Sequence, residues 1–322
     1  MKKIRLYSLV FLLSFALSLQ SCSDENTEEE LDFRPTYEFA IMIVPDIQNY
    51  THLNERLKYL DAIVDCYKNN RSKISAILQV GDLTNNNQTW QYENANDHFM
   101  SKFNDDDNLY FCLGNHDYGN NGISDIRNSN IPSNMMSNYD IAMEGHLHDN
   151  RISYVKMGKD TYGVMMLEFA IREKTIEWAN SVLSNDPQTP YIILTHAFLN
   201  NKGQMYDRTI PETLGNDSPT FYRMGEDYKN DSKEVFDKLI YHNPNVKLVI
   251  CGHSLTPDYI NVLTKENVVG NQIHMIMVNY QHYKNGGDGT VAILEKSCSS
   301  YKIRSYNAFH KKFGSKHIEF GI

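Results

Sequence analysis

The sequence predicts an α/β fold whose functional residues gather at the carboxyl ends of its strands, and three observations predict it. Five short runs, "FAIMIVPDIQ", "SAILQVGDLT", "LYFCLGNHD", "PYIILTHAF" and "VKLVICGHS", are almost wholly apolar, as strands buried on both faces must be. Each run stops on glycine or polar residues, and each stop carries a carboxylate, an amide or an imidazole. Between the runs, apolar residues recur at helical spacing, and strands alternating with helices make a sheet with parallel neighbours.

Taken in chain order, the first element is an export signal. Lys2, Lys3 and Arg5 precede the apolar run "LVFLLSFALSL", too short to span a bilayer comfortably, and the run ends in "LQSC". This resembles a bacterial lipobox with Cys22 as the lipidated residue, although Gln20 stands where a small residue is usual. Residues 1–21 are then a lipoprotein signal peptide. Residues 22–36, beginning "CSDENTEEELD", form an acidic tether with little to bury, expected to be disordered. An acidic stretch behind the lipidated cysteine resembles the surface-export signal of Bacteroidetes lipoproteins. The expected location is outside the cytoplasm, anchored to a membrane through Cys22, with the outer membrane facing the cell surface as the implied site.

The first strand ends at Asp46 and Gln48. Leu53, Leu57, Leu60, Val64 and Tyr67 then mark a helix before the second strand, which ends at Gly81 and Asp82. The third strand runs into Gly114-Asn115-His116-Asp117. Ile176, Ala179, Val182 and Leu183 mark a helix before the strand ending at Thr195-His196, and Val235, Phe236, Leu239 and Ile240 one before the strand ending at Gly252-His253. "QIHMIMVNYQ" and "GTVAILEKS" read as further strands joined by the glycine-rich "YKNGGDG". Two long connections, 118–150 and 197–231, break the alternation, and loops of that length are either functional or disordered. Trp90 and Trp178 fall in helical segments, where core packing is expected. No internal boundary or repeat is visible, so residues 37–322 read as one domain.

Composition narrows the function. The chain of 322 residues is 41% hydrophobic and 11% aromatic, enough for a packed core. Its formal net charge of −9, with no basic run, argues against a nucleic-acid scaffold protein. Cys112 and Cys251 lie inside strand runs and, with Cys66 and Cys298, are expected to be free thiols; no Cys/His zinc spacing occurs.

In open α/β sheets the loops at the carboxyl ends of strands build the ligand site. Two aspartates, an asparagine, a glutamine and histidines on such loops suit two divalent metals, with Asp82 able to bridge them and neutral imidazole and amide oxygen completing the shells. Two ions about 3.5–4 Å apart would clamp a phosphoryl group and lower the pKa of water. His116 and Asp117 are the candidate catalytic pair, with His116, next to Asp117, serving as general acid for the departing alkoxide.

The order D-x-Q, GD, GNHD, TH, GH, from Asp46 to His253, resembles the calcineurin-like metallophosphoesterase family over nearly the whole chain after the tether. The resemblance implies a four-layer α/β/β/α sandwich with two mixed sheets. It implies Asp46 on a first metal, Asp82 between the two, Asn115, His196 and His253 on the second, and His116 against the phosphate and leaving group. The expected activity is metal-dependent hydrolysis of a phosphoester, the cofactors two divalent ions (Mn, Fe, Zn or Mg), and the substrate a phosphorylated small molecule, lipid or protein. The alternatives are a phosphodiesterase or nuclease-like member, or a non-catalytic binding protein with a degraded first-metal site. Two departures from the family bear on that site: Gln48 stands where D-x-H has histidine, and Leu255 where G-H-x-H has its second. "PDIQ", "VNYQ" and "NGGDG" resemble a subgroup of exported bacterial members. Gln48 can offer a carbonyl oxygen, Leu255 nothing. His274 and Gln281 stand as substitutes, the expectation for His274 being a structural histidine. His146 and His148, alternating on a long loop, are expected to be solvated.

Overall fold

The computed structural model describes residues 29–145, 147–225 and 227–322. The signal peptide, Cys22 and His146 therefore lie outside the described residues.

In chain order the elements are β1 (Tyr37–Val44), α1 (Gln48–Thr51), α2 (Leu57–Asn69), β2 (Ala76–Gln79), α3 (Thr89–His98), β3 (Leu109–Phe111), β4 (Ile141–Ala142), β5 (Arg151–Met157), β6 (Asp160–Met166), α4 (Glu173–Asn185), β7 (Tyr191–Leu194), α5 (Ser232–Val235), β8 (Val246–Cys251), β9 (Ile260–Glu266), β10 (Gln272–Val278), β11 (Thr290–Ser297), β12 (Ser300–Asn307) and β13 (Lys312–Gly321). They form a six-stranded sheet, β13-β12-β11-β1-β2-β3, and a seven-stranded sheet, β4-β5-β6-β7-β8-β10-β9. Both are mixed. In the first, β1, β2 and β3 run parallel while β11 pairs antiparallel with β1. In the second, β6, β7, β8 and β10 run parallel and β9 pairs antiparallel with β10.

Side-chain alternation explains the layering. Along β1, Phe39, Ile41 and Ile43 face one apolar cluster with Leu78, Val164, Ile192, Leu248 and Ile276, which fills the space between the sheets. Met42 and Val44, on the opposite face, join Leu60, Ile63 and Val64 of α2. The far face of the second sheet, with Ile193, Val249 and Met275, is covered by Ile176, Ala179 and Leu183 of α4 and by Leu239 and Ile240 of the π-helical turn after α5. Three apolar interfaces make four layers, α/β/β/α. A strand between two such interfaces needs apolar residues at every position, which is why the five runs lack polar alternation.

The five predicted strands divide between the sheets, with β1, β2 and β3 in one and β7 and β8 in the other. Three expectations are corrected. The tether ends earlier than residue 36: Leu31 is buried, Arg34 pairs with Glu295 and Glu319, and Tyr306 donates its hydroxyl to the Glu29 carbonyl. Trp90 lies on the open face of α3 and is 43% exposed, so it is not a core residue. The helix expected from Leu53 starts at Leu57, because Leu53 is extended and precedes a 3₁₀ turn.

Cys66, Cys112, Cys251 and Cys298 are free thiols, the first three buried. Burial pushes the thiols of Cys66 and Cys251 up to about 12, which leaves them inert at neutral pH. Among the described residues, no helix is long and apolar enough to cross a membrane.

Candidate metal centre

The carboxyl ends of β1, β2, β3, β7 and β8 meet where the two sheets face each other, and Asp46, Asp82 and His196 gather there with ligand atoms mutually within 4.8 Å. His196 Nε2 lies 3.3 Å from Asp82 Oδ1, 3.1 Å from Asn115 Oδ1 and 3.1 Å from His253 Nδ1. All five side chains are buried.

The hydrogen bonds behind the cluster fix what faces into it. His196 Nδ1–H donates to the Val80 carbonyl at 2.7 Å, so Nε2 turns a lone pair inward. His253 Nε2–H donates to the Asp217 carbonyl at 2.6 Å, which leaves Nδ1 in the same state. Such outer partners set the tautomer of a metal-binding histidine. The inner atoms are then acceptors only: two ring nitrogens, an amide oxygen and carboxylate oxygens. Buried acceptors that face one another repel, and a cation among them satisfies all of them at once. Gln48 adds to this set, since its Oε1 is buried without a hydrogen-bond partner. The residues present therefore fit divalent metal.

Without metal, protons must do the same work. Burial works against a charged His196, but the neighbouring Asp82 and Asp46 carboxylates push it up to about 9. Burial pushes Asp46 up to about 7, with His196 opposing and Asp82 adding to the rise. Asp82 is equally buried, yet His196 and His116 hold its carboxyl below the usual range. Burial and the charge on His196 bring His253 down to about 4. The two carboxylates thus split, as like charges in one site do.

Three glycines permit this density. A Cβ on Gly252 would lie 2.3 Å from Asp46 Oδ1, one on Gly114 2.1 Å from Asp82 Oδ1, and one on Gly81 2.7 Å from His196 Nδ1. Gly81 also has φ +97°, which an L side chain rarely adopts. Asp82 and His253 themselves stand at φ +53° and +70°, a left-handed backbone that costs of order 1–3 kcal/mol per non-glycine residue.

His116 borders the cluster without joining it. Its amide donates to Asp82 Oδ1 at 2.9 Å and its Nδ1–H to the Asn85 carbonyl at 2.8 Å. The residue is half-buried and lines an open cavity of about 480 Å³ with Gln48, Asp82, Asn115, His253 and Leu255.

Asp117 corrects the sequence reading. Its carboxylate does not touch the His116 ring; it accepts from the amides of Leu83, Thr84 and Gly114 and from the Thr84 hydroxyl at 2.9–3.0 Å. It ties the Asp82 loop to the Asn115 loop and is fully buried. It is a positioning residue.

His274 lies on β10 away from the cluster, bonded to Thr264 and packed against Tyr301 and Phe320. His148 bonds to Tyr139. Gln281 does line the cavity. Sequence reasoning missed Asn279, which donates to Asp46 Oδ2 at 3.0 Å and to the His253 carbonyl at 3.1 Å. Its signal was present: Asn279 follows β10 directly, at the same strand-end position as the ligand-type residues. Asp217 was missed too, because a backbone carbonyl in a long loop carries no residue-type signal.

Residues 39–257 match the calcineurin-like phosphoesterase family. YvnB, an uncharacterised protein of Bacillus subtilis, is 22% identical over 262 residues, 77% of this chain but 18% of that protein's length. Among solved structures, purple acid phosphatase PPD1 from yellow lupin seeds superposes with a TM-score of 0.50 at 12% identity, covering 88% of this chain and 53% of the other. GAP50 of Plasmodium, described as the anchor in the inner membrane complex, gives a TM-score of 0.48 at 12% identity, covering 88% and 89%. At these identities the structural likeness is one of fold.

Proposed function

Because the chain belongs to the calcineurin-like phosphoesterase family, with its match covering residues 39–257, we propose that it hydrolyses phosphoric esters with two divalent cations held at the strand ends. The observation that carries this reading is the convergence of buried metal-ligand atoms of Asp46, Asp82, Asn115, His196 and His253. Asp46, Asp82 and the Gln48 amide oxygen would hold one ion; Asp82, Asn115, His196 and His253 would hold the other. Bound cations supply Lewis acidity, polarising phosphoryl oxygens and making water acidic enough to attack. The first site would be oxygen-only and short of a ligand at Leu255, so it would hold its ion less tightly than the imidazole-rich second site, which would suit Mn²⁺, Fe²⁺ or Zn²⁺; Mg²⁺ would suit the first.

The protein's own groups do the rest. Asn279 and the His253 amide orient the Asp46 carboxylate. His116, with Nδ1–H fixed on the Asn85 carbonyl, can hold a second proton at Nε2 and release it to the departing alkoxide. Its position on the cavity wall outside the ligand cluster supports this role.

The test is turnover of 4-nitrophenyl phosphate and bis(4-nitrophenyl) phosphate by chelator-treated protein before and after adding Mn²⁺, with metal content measured by elemental analysis. Hydrolysis of either ester that depends on added metal is expected. Retained metal without hydrolysis of either ester would leave a binding protein. Export and anchoring through Cys22 belong to the same proposal and rest on residues 1–36 of the sequence. Two acyl chains suffice for stable anchoring, so Cys22→Ser should release the protein from membranes. A wild-type chain found soluble and cleaved beyond Cys22 would refute it.

A further inference from the structure

The wall of the cavity discriminates between phosphoesters by charge. Among its described lining residues there is no lysine or arginine. The side chains beyond the proposed ligands are the amides of Asn201, Asn216 and Gln281, the rings of His116, Tyr222 and His282, Leu255, and one carboxylate, Asp217. Asp217 is held in place, its Oδ2 accepting from Ser254 at 2.7 Å and from Tyr206 at 3.0 Å.

The Gln281 backbone is fixed by the same residue that orients Asp46. Asn279 Oδ1 accepts from the Gln281 backbone amide at 2.8 Å, while Asn279 Nδ2 reaches Asp46 Oδ2 and the His253 carbonyl. The Gln281 side-chain nitrogen is itself buried with no hydrogen-bond partner. An unpaired buried N–H costs free energy until a ligand accepts from it. A neutral amide offers a phosphoryl oxygen a hydrogen bond without paying for a second negative charge.

We infer, on the hydrolase reading above, that this site takes phosphodiesters, which are monoanions, in preference to phosphomonoester dianions. Metals attract both. The difference lies in the second charge of the monoester, which meets no lysine or arginine here, His116 being engaged at the leaving group, and has Asp217 on the same wall; a desolvated charge left unpaired is penalised. The cavity of about 480 Å³ is also in the range that accommodates whole small molecules, so both substituents of a diester have room.

The experiment compares kcat/KM for bis(4-nitrophenyl) phosphate and 4-nitrophenyl phosphate with the full Mn²⁺-loaded chain. A diester-to-monoester ratio of about ten or more is expected, and a ratio of one or below overturns the inference. Asn216→Arg, at an exposed wall position, adds the missing cation and should lower the ratio about tenfold, mainly through the monoester KM; an unchanged ratio also overturns it. Gln281→Leu should lower diester kcat/KM about tenfold with metal content unchanged. Should neither ester be turned over, the hydrolase reading fails, and calorimetry with dimethyl phosphate and methyl phosphate in the presence of Mn²⁺ decides the inference separately. Tighter binding of dimethyl phosphate supports it; tighter or equal binding of methyl phosphate overturns it.

Discussion

Titrating Mn²⁺ into chelator-treated protein should expel protons, in a number that the buried cluster dictates. Metal-free, His196 is pushed up to about 9 and Asp46 to about 7, while His253 is brought down to about 4 and Asp82 is held low. Both groups are therefore raised enough to hold protons near neutral pH, and binding releases more protons at pH 6 than at pH 7.5. Apparent affinity should rise with pH, about tenfold per unit for each proton released, and level off above about pH 9. The sign for the metal-free fold is opposite. Both folded-state values lie above the ordinary ones, so the stability these groups contribute falls as pH rises over about 4–9. The thermal-stability gap between metal-loaded and metal-free protein should widen from pH 6 to pH 9. The assay is calorimetry in buffers of differing ionisation enthalpy, which counts protons directly. Release of no protons at pH 6 would mean that Asp46 and His196 are not displaced by metal, and the ligand assignment would fall.

Three further outcomes test individual residues. His116→Ala should lower turnover by roughly 10²–10⁴ with metal content unchanged and with partial rescue by a nitrophenolate leaving group; loss of metal would make His116 a ligand. Asp117→Ala should destabilise the fold by about 2–5 kcal/mol in denaturant titration, because it strands three buried amides; wild-type stability would refute its positioning role. Gln48→Ala should raise the Mn²⁺ concentration giving half-maximal activity, while His274→Ala should leave that titration unchanged; the reverse pattern would exchange their roles.

The strands and their terminal residues were legible because a strand buried on both faces writes a continuous apolar run, and the site residues follow each run immediately. What hid the division into two sheets is the same fact: β2 and β8 are enclosed alike, and neither run records which sheet it joins. The packing of residues 29–36 was masked by their acidic composition, although Leu31 and Phe33 pack against the core. Asp117 and Asp217 act through backbone groups brought near by the fold, which residue types do not encode. Trp90 was misplaced because helical spacing alone does not say which face of α3 is covered.

The three glycines of the centre have a consequence for how such a site can change over time. Each makes room for an atom belonging to a different motif: Gly252 for Asp46, Gly114 for Asp82, Gly81 for His196. The motifs are therefore interlocked, and not through the ligand side chains alone. A Cβ at Gly252 would also meet the Val80 side chain, one at Gly114 the backbone nitrogen of Asp82, and one at Gly81 the backbone nitrogen of Gly114. Losing a ligand side chain therefore leaves its partner glycine constrained, and the space that the ligand occupied stays open for its return.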